Sequence, residues 1–171
     1  MNAALAMCVS SISGAQASAA TFLGYTTAVP AGWTASKPTS SMRLAQYIVR
    51  GADAALASDV VVYFFGEGQG GGIAENLERW KGQFSMPDGK PPYELVEKEA
   101  KTAFPITIAE YRGTYARGVG AGNDANAKPG QTLIAAVAET PRGTLFFQLY
   151  GPSAAVAAQR RALVGFVRGL H

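Results

Sequence analysis

The chain has 171 residues, of which 48% are hydrophobic and 16% are charged, and its formal net charge is +3. This composition is that of a globular protein and excludes an intrinsically disordered one, and the length fits one domain with a sizeable core. No apolar run approaches the ~18–20 residues that a membrane-spanning helix needs, so we expect no transmembrane segment.

The first 20 residues carry no charge and are rich in Ala and Ser. An apolar stretch from Ala3 to Val9 is followed by Ala17-Ser18-Ala19, a small-x-small pattern typical of a signal-peptidase site. The basic residues that normally precede such a stretch are absent, so residues 1–19 are either a truncated signal segment or no signal. We expect an exported protein, periplasmic or secreted, in which residues 20–171 form one domain. Cys8 would leave with the signal, which excludes disulfides and thiolate sites in the mature chain.

Three strand patterns come next in chain order. They cover Phe22–Val29, Met42–Val49 and Ser58–Phe65. The last is apolar on both faces, as in a central strand that is covered on each side. Trp33, which follows a Pro-Ala-Gly turn, is predicted to be a packing anchor.

The clearest helix pattern follows a loop that carries five glycines between positions 66 and 72. Apolar residues spaced four, three and four apart share one helix face, and they are Ile73, Leu77, Trp80 and Phe84. We expect the rings of Trp80 and Phe84 to lie in the core.

The second half of the chain reads as extended segments and a final helix. The predicted elements are strands at Tyr93–Thr102 and Ile106–Ala116, a loop at Gly118–Gly130, a hairpin of Thr132–Ala138 with Thr144–Tyr150, and a helix that begins near Ser153 and buries Val156, Leu163, Val167 and Leu170. The element order predicts an α+β fold in which helices pack on the faces of a largely antiparallel sheet.

The glycine loop is the main candidate binding site. Gly66, Gly68 and Gly71 satisfy the GxGxxG spelling of a dinucleotide site, but Glu67 puts an anion inside it and no further βα units follow. A structural turn is therefore the favoured interpretation. The alternative is a small ligand or anion held by backbone N–H groups at the helix N-terminus, with Glu67, Gly68, Gly70 and Gly71 as the ligand-binding residues.

The sequence offers little catalytic chemistry. The single histidine is His171, at the final position, which argues against Ser-His-Asp triads and His-based metal sites. We predict no catalytic residue, no metal ligand and no cofactor. The acidic residues Glu94, Glu97, Glu99 and Glu110 are predicted to lie on a solvated strand face. If a carboxylate does act in catalysis, Glu67 is the first one to test.

The end of the chain is basic. After Glu139 there is no acidic residue, but there are four arginines, Arg142, Arg160, Arg161 and Arg168. The favoured interpretation is helix-end cations, and the alternative is a weak contact of the C-terminal helix with an anionic membrane surface or an acidic partner. Nucleic-acid binding is not predicted, because no basic stripe is interleaved with aromatic residues.

Several segments together resemble the PsbP-like fold family. They are Tyr25–Trp33 with its Val-Pro-Ala-Gly-Trp ending, the hairpins, the glycine-led helix and the closing strand-Gly-Pro-helix unit. The resemblance implies an α/β/α sandwich over about residues 21–170. That family takes its name from an extrinsic photosystem II protein and includes a Ran-binding import factor, but no functional residue can be carried over. Phe65–Phe84, with its RWKGQF ending, is also similar to a group of uncharacterised exported bacterial proteins.

Three functions follow as hypotheses. The first is a non-catalytic exported binding or interaction module whose partner is an unidentified protein or small molecule. The second is a small-ligand or anion-binding protein that uses the Gly66–Gly72 loop. The third is a carboxylate-dependent enzyme.

Overall fold

A computed structural model describes residues 18–51, 57–116 and 127–171. In these ranges the chain forms β1 (Ala19–Phe22), β2 (Tyr25–Ala28), β3 (Trp33–Ser36), β4 (Arg43–Val49), β5 (Ser58–Tyr63), α1 (Ile73–Lys81), β6 (Phe84–Ser85), β7 (Tyr93–Glu99), β8 (Ile106–Tyr115), β9 (Lys128–Thr140), β10 (Gly143–Pro152) and α2 (Ser153–Arg168). The predicted signal segment lies outside the described residues except for its last two positions.

Eight of these strands form one antiparallel sheet. Its order is β3-β4-β5-β10-β9-β8, and both β6 and β7 pair with β8, while β1 and β2 form a separate hairpin. Helix α2 packs on one face of the sheet and α1 on the other. The predicted α+β architecture, with helices on the faces of a largely antiparallel sheet, is confirmed.

The face under α2 holds the larger part of the core. Phe166 lies at its centre, and its ring centroid is 5.2 Å from that of Trp33 and 5.9 Å from that of Phe147. The apolar stripe predicted for α2 is buried. The predicted anchoring role of Trp33 is also confirmed, since the side chain is buried and its Nε1 donates a hydrogen bond to Gln159 Oε1 at 3.1 Å.

The face under α1 holds a second aromatic core. The rings of Trp80 and Phe84 are both buried, as predicted. However, the helix ends at Lys81, and Phe84 belongs to β6, where it pairs with Tyr115 of β8. The helical spacing of Phe84 was therefore misleading, because Gly82 ends the helix and the chain turns into a strand.

Two other predictions need correction. The single strand predicted at Phe22–Val29 instead spans the last residue of β1, the hairpin turn and β2, because Leu23 and Gly24 turn the chain with φ angles of 53° and 85°. Positive φ at both central residues is the conformation of a tight I′ hairpin turn, and it is unusual for leucine. Most of the predicted Gly118–Gly130 loop lies outside the described residues, and β9 begins at Lys128.

Charged residues at one end of the sheet form a network that joins α2 to β7 and β8. Glu97 bonds Arg160, and Glu99 bonds Arg168. The edge-strand prediction for β7 is confirmed by its exposure. Glu110 was predicted to be solvated, and that is wrong. Only 3% of it is exposed, because it follows Ile106 and Ile108 on the α2 side of β8, and its carboxylate accepts bonds from Arg160 and Arg112.

These pairings place acids of β7 and β8 against two of the basic residues near the end of the chain. Arg160 and Arg168 are engaged within the fold, whereas Arg161 is exposed on α2. Within the described part of the chain, no helix is both long and apolar enough to cross a membrane.

The pairing of Glu99 with Arg168 predicts a pH-dependent contribution to stability. Arg168 Nε and Nη2 donate to the two oxygens of Glu99 at 2.6 and 2.5 Å, and this lowers the pKa of the Glu99 carboxyl below its ordinary value. A carboxyl with a depressed folded-state pKa stabilises the protein above its unfolded pKa of about 4.3. That stability is lost as the pH falls through the folded pKa.

We therefore expect Glu99→Gln to lower the free energy of unfolding at pH 7, measured by urea denaturation. The gap, which is the difference in free energy of unfolding between the wild type and the variant, should shrink as the pH is lowered below about 4. Arg168→Gln should show the same pH-dependent gap from the wild type, since it deletes the partner that lowers the pKa of Glu99. A gap of constant size from pH 7 to pH 3 would contradict this assignment.

Candidate binding site

A cavity of 510 Å³ opens on the α1 face of the sheet, beside the helix. It is lined by Thr39, Arg43, Gln46, Asp59, Val61, Tyr63, Gln83, Tyr115, Lys128, Leu133, Gln148 and Tyr150. The lining combines three tyrosines with three amides and three charged side chains. Most of these residues come from the strands, so a rigid scaffold positions them.

The floor of the cavity follows from strand alternation. Val60 and Val62 of β5 are buried in the core under α2, so Asp59, Val61 and Tyr63 face the other way. In the neighbouring β10, Gln148 pairs with Val61 and Tyr150 pairs with Asp59. These polar and aromatic side chains therefore form a row on the sheet surface that α1 leaves open.

A β-bulge brings Arg43 to this surface. The pairing of β4 with β5 shifts register between Arg43 and Ala45, so that Arg43 lies opposite Tyr63. The Arg43 guanidinium carbon is 5.7 Å from the Tyr63 ring centroid, and Nη1 donates to Gln46 Oε1 at 2.9 Å. The guanidinium is thus held by a ring and an amide before any ligand arrives.

A second cavity of 200 Å³ adjoins the first beneath α1. The two share Tyr63, Gln83, Tyr115 and Gln148, and the second adds Phe65, Arg79, Trp80 and Phe146. Arg79 donates from Nη2 to Asn76 Oδ1 at the start of the helix. The two cavities together form a groove that runs from β4 towards the edge of α1.

The sequence-predicted ligand residues lie elsewhere. Glu67, Gly68, Gly70 and Gly71 are brought together in one loop before α1, but none of them lines either cavity. The structure gives the four glycines at 66, 68, 70 and 71 positive φ angles, which glycine adopts without strain.

The loop is tied to the helix by side chains of the helix itself. Asn76 Nδ2 donates to the carbonyl oxygens of Gly70 and Gly72 at 2.8 and 2.9 Å. The Gly72 amide donates to Glu75 Oε2 at 3.1 Å. A carboxylate of the chain therefore already occupies one amide at the positive end of the helix dipole. Ligand binding at this loop stays a prediction.

Sequence reasoning did not identify the cavity, although one signal was present. Gln148 stands between Phe147 and Leu149 in a strand pattern that is otherwise apolar, and Gln46 occupies a similar position in β4. An isolated amide within an interior strand indicates an uncovered patch on that face. In the part of the chain that the structure describes, no cluster of three or more His, Cys, Asp and Glu side chains could hold a metal ion.

Comparison with solved structures supports the fold. The chain is similar to the solution structure of cyanobacterial PsbP (CyanoP) from Synechocystis sp. PCC 6803, with a TM-score of 0.56 and 13% sequence identity over 98% of each chain. No protein-family model and no curated protein matches the sequence. The likeness shows a PsbP-like fold, as the sequence resemblance implied.

The packing of the glycine loop predicts different outcomes for two of its glycines. A Cβ on Gly70 would lie 2.8 Å from Phe146 Cε2 and 3.0 Å from Phe65 Cδ2, whereas one on Gly68 would meet nothing within 4 Å. Both residues have positive φ. We expect Gly68→Ala to cost about 1–2 kcal/mol and Gly70→Ala about 2–5 kcal/mol, because only the second adds overpacking to backbone strain.

Chemical denaturation of the two variants measures this difference. Equal losses of stability would show that Gly70 is not packed against the two rings.

Proposed function

We propose that the protein is a non-catalytic, exported binding module and that its ligand is a small organic molecule held in the 510 Å³ cavity beside α1. The cavity itself carries this proposal. Its volume falls within the roughly 300–1,000 Å³ of typical ligand sites, and its three tyrosines offer ring faces beside polar side chains that can orient a ligand.

The lining favours binding over catalysis. Asp59 is the one carboxylate among the residues that line the two cavities. The remaining described side chains are amides, tyrosines, cations, Thr39 and apolar residues, so no second carboxylate is present among them to form an acid–base pair with Asp59. Glu67 is exposed in the glycine loop and lies outside both cavities. The alternative of an enzyme that uses Glu67 stays a prediction.

Export rests on the sequence alone, through the apolar stretch and the small-x-small pattern before Thr21. A weak contact of the C-terminal helix with a membrane surface has less support than it had from the sequence, because Arg160 and Arg168 are paired with acids of the sheet. We propose no nucleic-acid partner.

Two tryptophan substitutions distinguish the cavity from the glycine loop. Gln148 lies on the cavity floor, and Gln69 is exposed in the loop. We expect Gln148→Trp to fill the cavity and weaken the binding of cavity ligands at least roughly tenfold, because it excludes the ligand sterically. Gln69→Trp should leave that binding unchanged.

A library of small aromatic fragments supplies the ligands for this test. The binding position of each fragment is mapped from the changes that it causes in the amide chemical shifts of the full chain. Perturbed amides should cluster at β4, β5 and β10. If fragments perturb the Gly66–Gly72 loop instead, and Gln69→Trp blocks them, the loop hypothesis is correct and the cavity proposal is wrong.

A further inference from the structure

The charges of the groove are unevenly distributed. The Arg43 guanidinium lies over the ring of Tyr63, while Arg79 lines the adjoining cavity. Asp59 precedes Tyr63 by four residues on the same strand, which places it about 13 Å away along β5. The groove therefore has a cationic end near Tyr63 and a carboxylate towards the other end.

Lys128 lies near that other end. Tyr150 pairs with both Asp59 and Leu133, so these three residues lie level across the sheet. Lys128 lies further along β9 than Leu133, on the side away from Tyr63, where it pairs with Tyr115. Across both cavities the described lining holds three cations and one anion.

We propose, building on the proposed function, that this groove binds aromatic carboxylic acids, with the carboxylate at Arg43 and the ring against the tyrosine faces. An arginine guanidinium presents parallel N–H donors that match a carboxylate. The bond of Arg43 to Gln46 and its contact with the Tyr63 ring fix the guanidinium in place, so little side-chain entropy is lost on binding.

The walls suit a flat ring. Tyr63 and Tyr115 line both cavities, and the ring of Tyr115 is 4.5 Å from that of Tyr150. Offset or edge contacts with such rings stabilise an aromatic ligand beyond the area that they bury. The amides of Gln83 and Gln148, also shared by both cavities, supply hydrogen bonds along the length of the groove.

Three probes that share the indole ring system and differ in charge test the proposal. Indole-3-acetate is anionic, indole-3-acetamide is its neutral amide, and tryptamine is cationic. We expect isothermal titration of the full chain to give the tightest binding for the acetate, at least roughly tenfold tighter than the amide, as one charge-assisted bond contributes. Tryptamine should bind most weakly. Chemical-shift mapping should place the acetate in the groove.

Two variants that each remove one positive charge locate the carboxylate. Arg43→Gln should weaken acetate binding at least roughly tenfold and weaken amide binding much less, because the neutral amide lacks the charge-assisted bond. Arg161→Gln, on the exposed face of α2, should change acetate affinity less than about twofold, because screened long-range charges contribute little. A similar loss in both variants would show a general field effect and overturn the proposal.

Other outcomes separate this inference from the proposed function. If the amide or tryptamine binds in the groove as tightly as the acetate, the ligand class is wrong and the cavity remains a binding site. If none of the three binds there but other fragments do, the same conclusion holds. If no fragment perturbs the groove at all, the proposed function fails as well.

Discussion

Helix α1 has nine residues and is therefore about 14 Å long. The sheet beneath it is about 29 Å wide, because its eight strands occupy seven positions, β6 and β7 both lying beside β8. A helix of this length cannot cover such a face. On the opposite side, α2 has 16 residues and the β1–β2 hairpin packs beside it, so that face is closed. Among the residues that the structure describes, this difference in coverage leaves the strip of β4, β5 and β10 uncovered, and the cavity lies there.

The same strands serve both faces because their side chains alternate. In β10, Phe147 and Leu149 pack into the core under α2, while Phe146 packs under α1 and Gln148 faces the cavity. Burial on one face therefore fixes the geometry of the polar row on the other. The strand residues that line the cavity are therefore held in place by the packing of the core on the opposite face.

The fold was predictable because its signals are local. Apolar runs at Ser58–Phe65 and Thr144–Tyr150, and the turn residues between them, define strands without knowledge of their partners. Phe84 was misassigned because helical spacing continues past Gly82 by coincidence. Leu23 was missed because leucine rarely adopts positive φ, so the residue gives no turn signal. The burial of Glu110 could have been predicted, since it follows Ile106 and Ile108 at a period of two.

The cavity was not predictable to the same degree. Its residues come from positions between Thr39 and Tyr150, and the polar ones among them form no contiguous motif. Only the strand order, which places β10 between β5 and β9, brings them together. The bulge that turns Arg43 to this face depends on pairing with β5 and has no residue signature of its own. The residues of the glycine loop, in contrast, are contiguous in sequence and form a recognisable pattern without knowledge of the fold.

Tyrosine nitration tests most directly whether the strip beside α1 is open in solution. Tyr111 is fully buried, and burial raises the pKa of its hydroxyl, whereas Tyr93 is 43% exposed. With tetranitromethane and mass spectrometry on the full chain, Tyr93 should react and Tyr111 should not. Tyr63 and Tyr115, which line the groove, should react measurably. If these two are as inert as Tyr111, the strip is covered and the account is wrong.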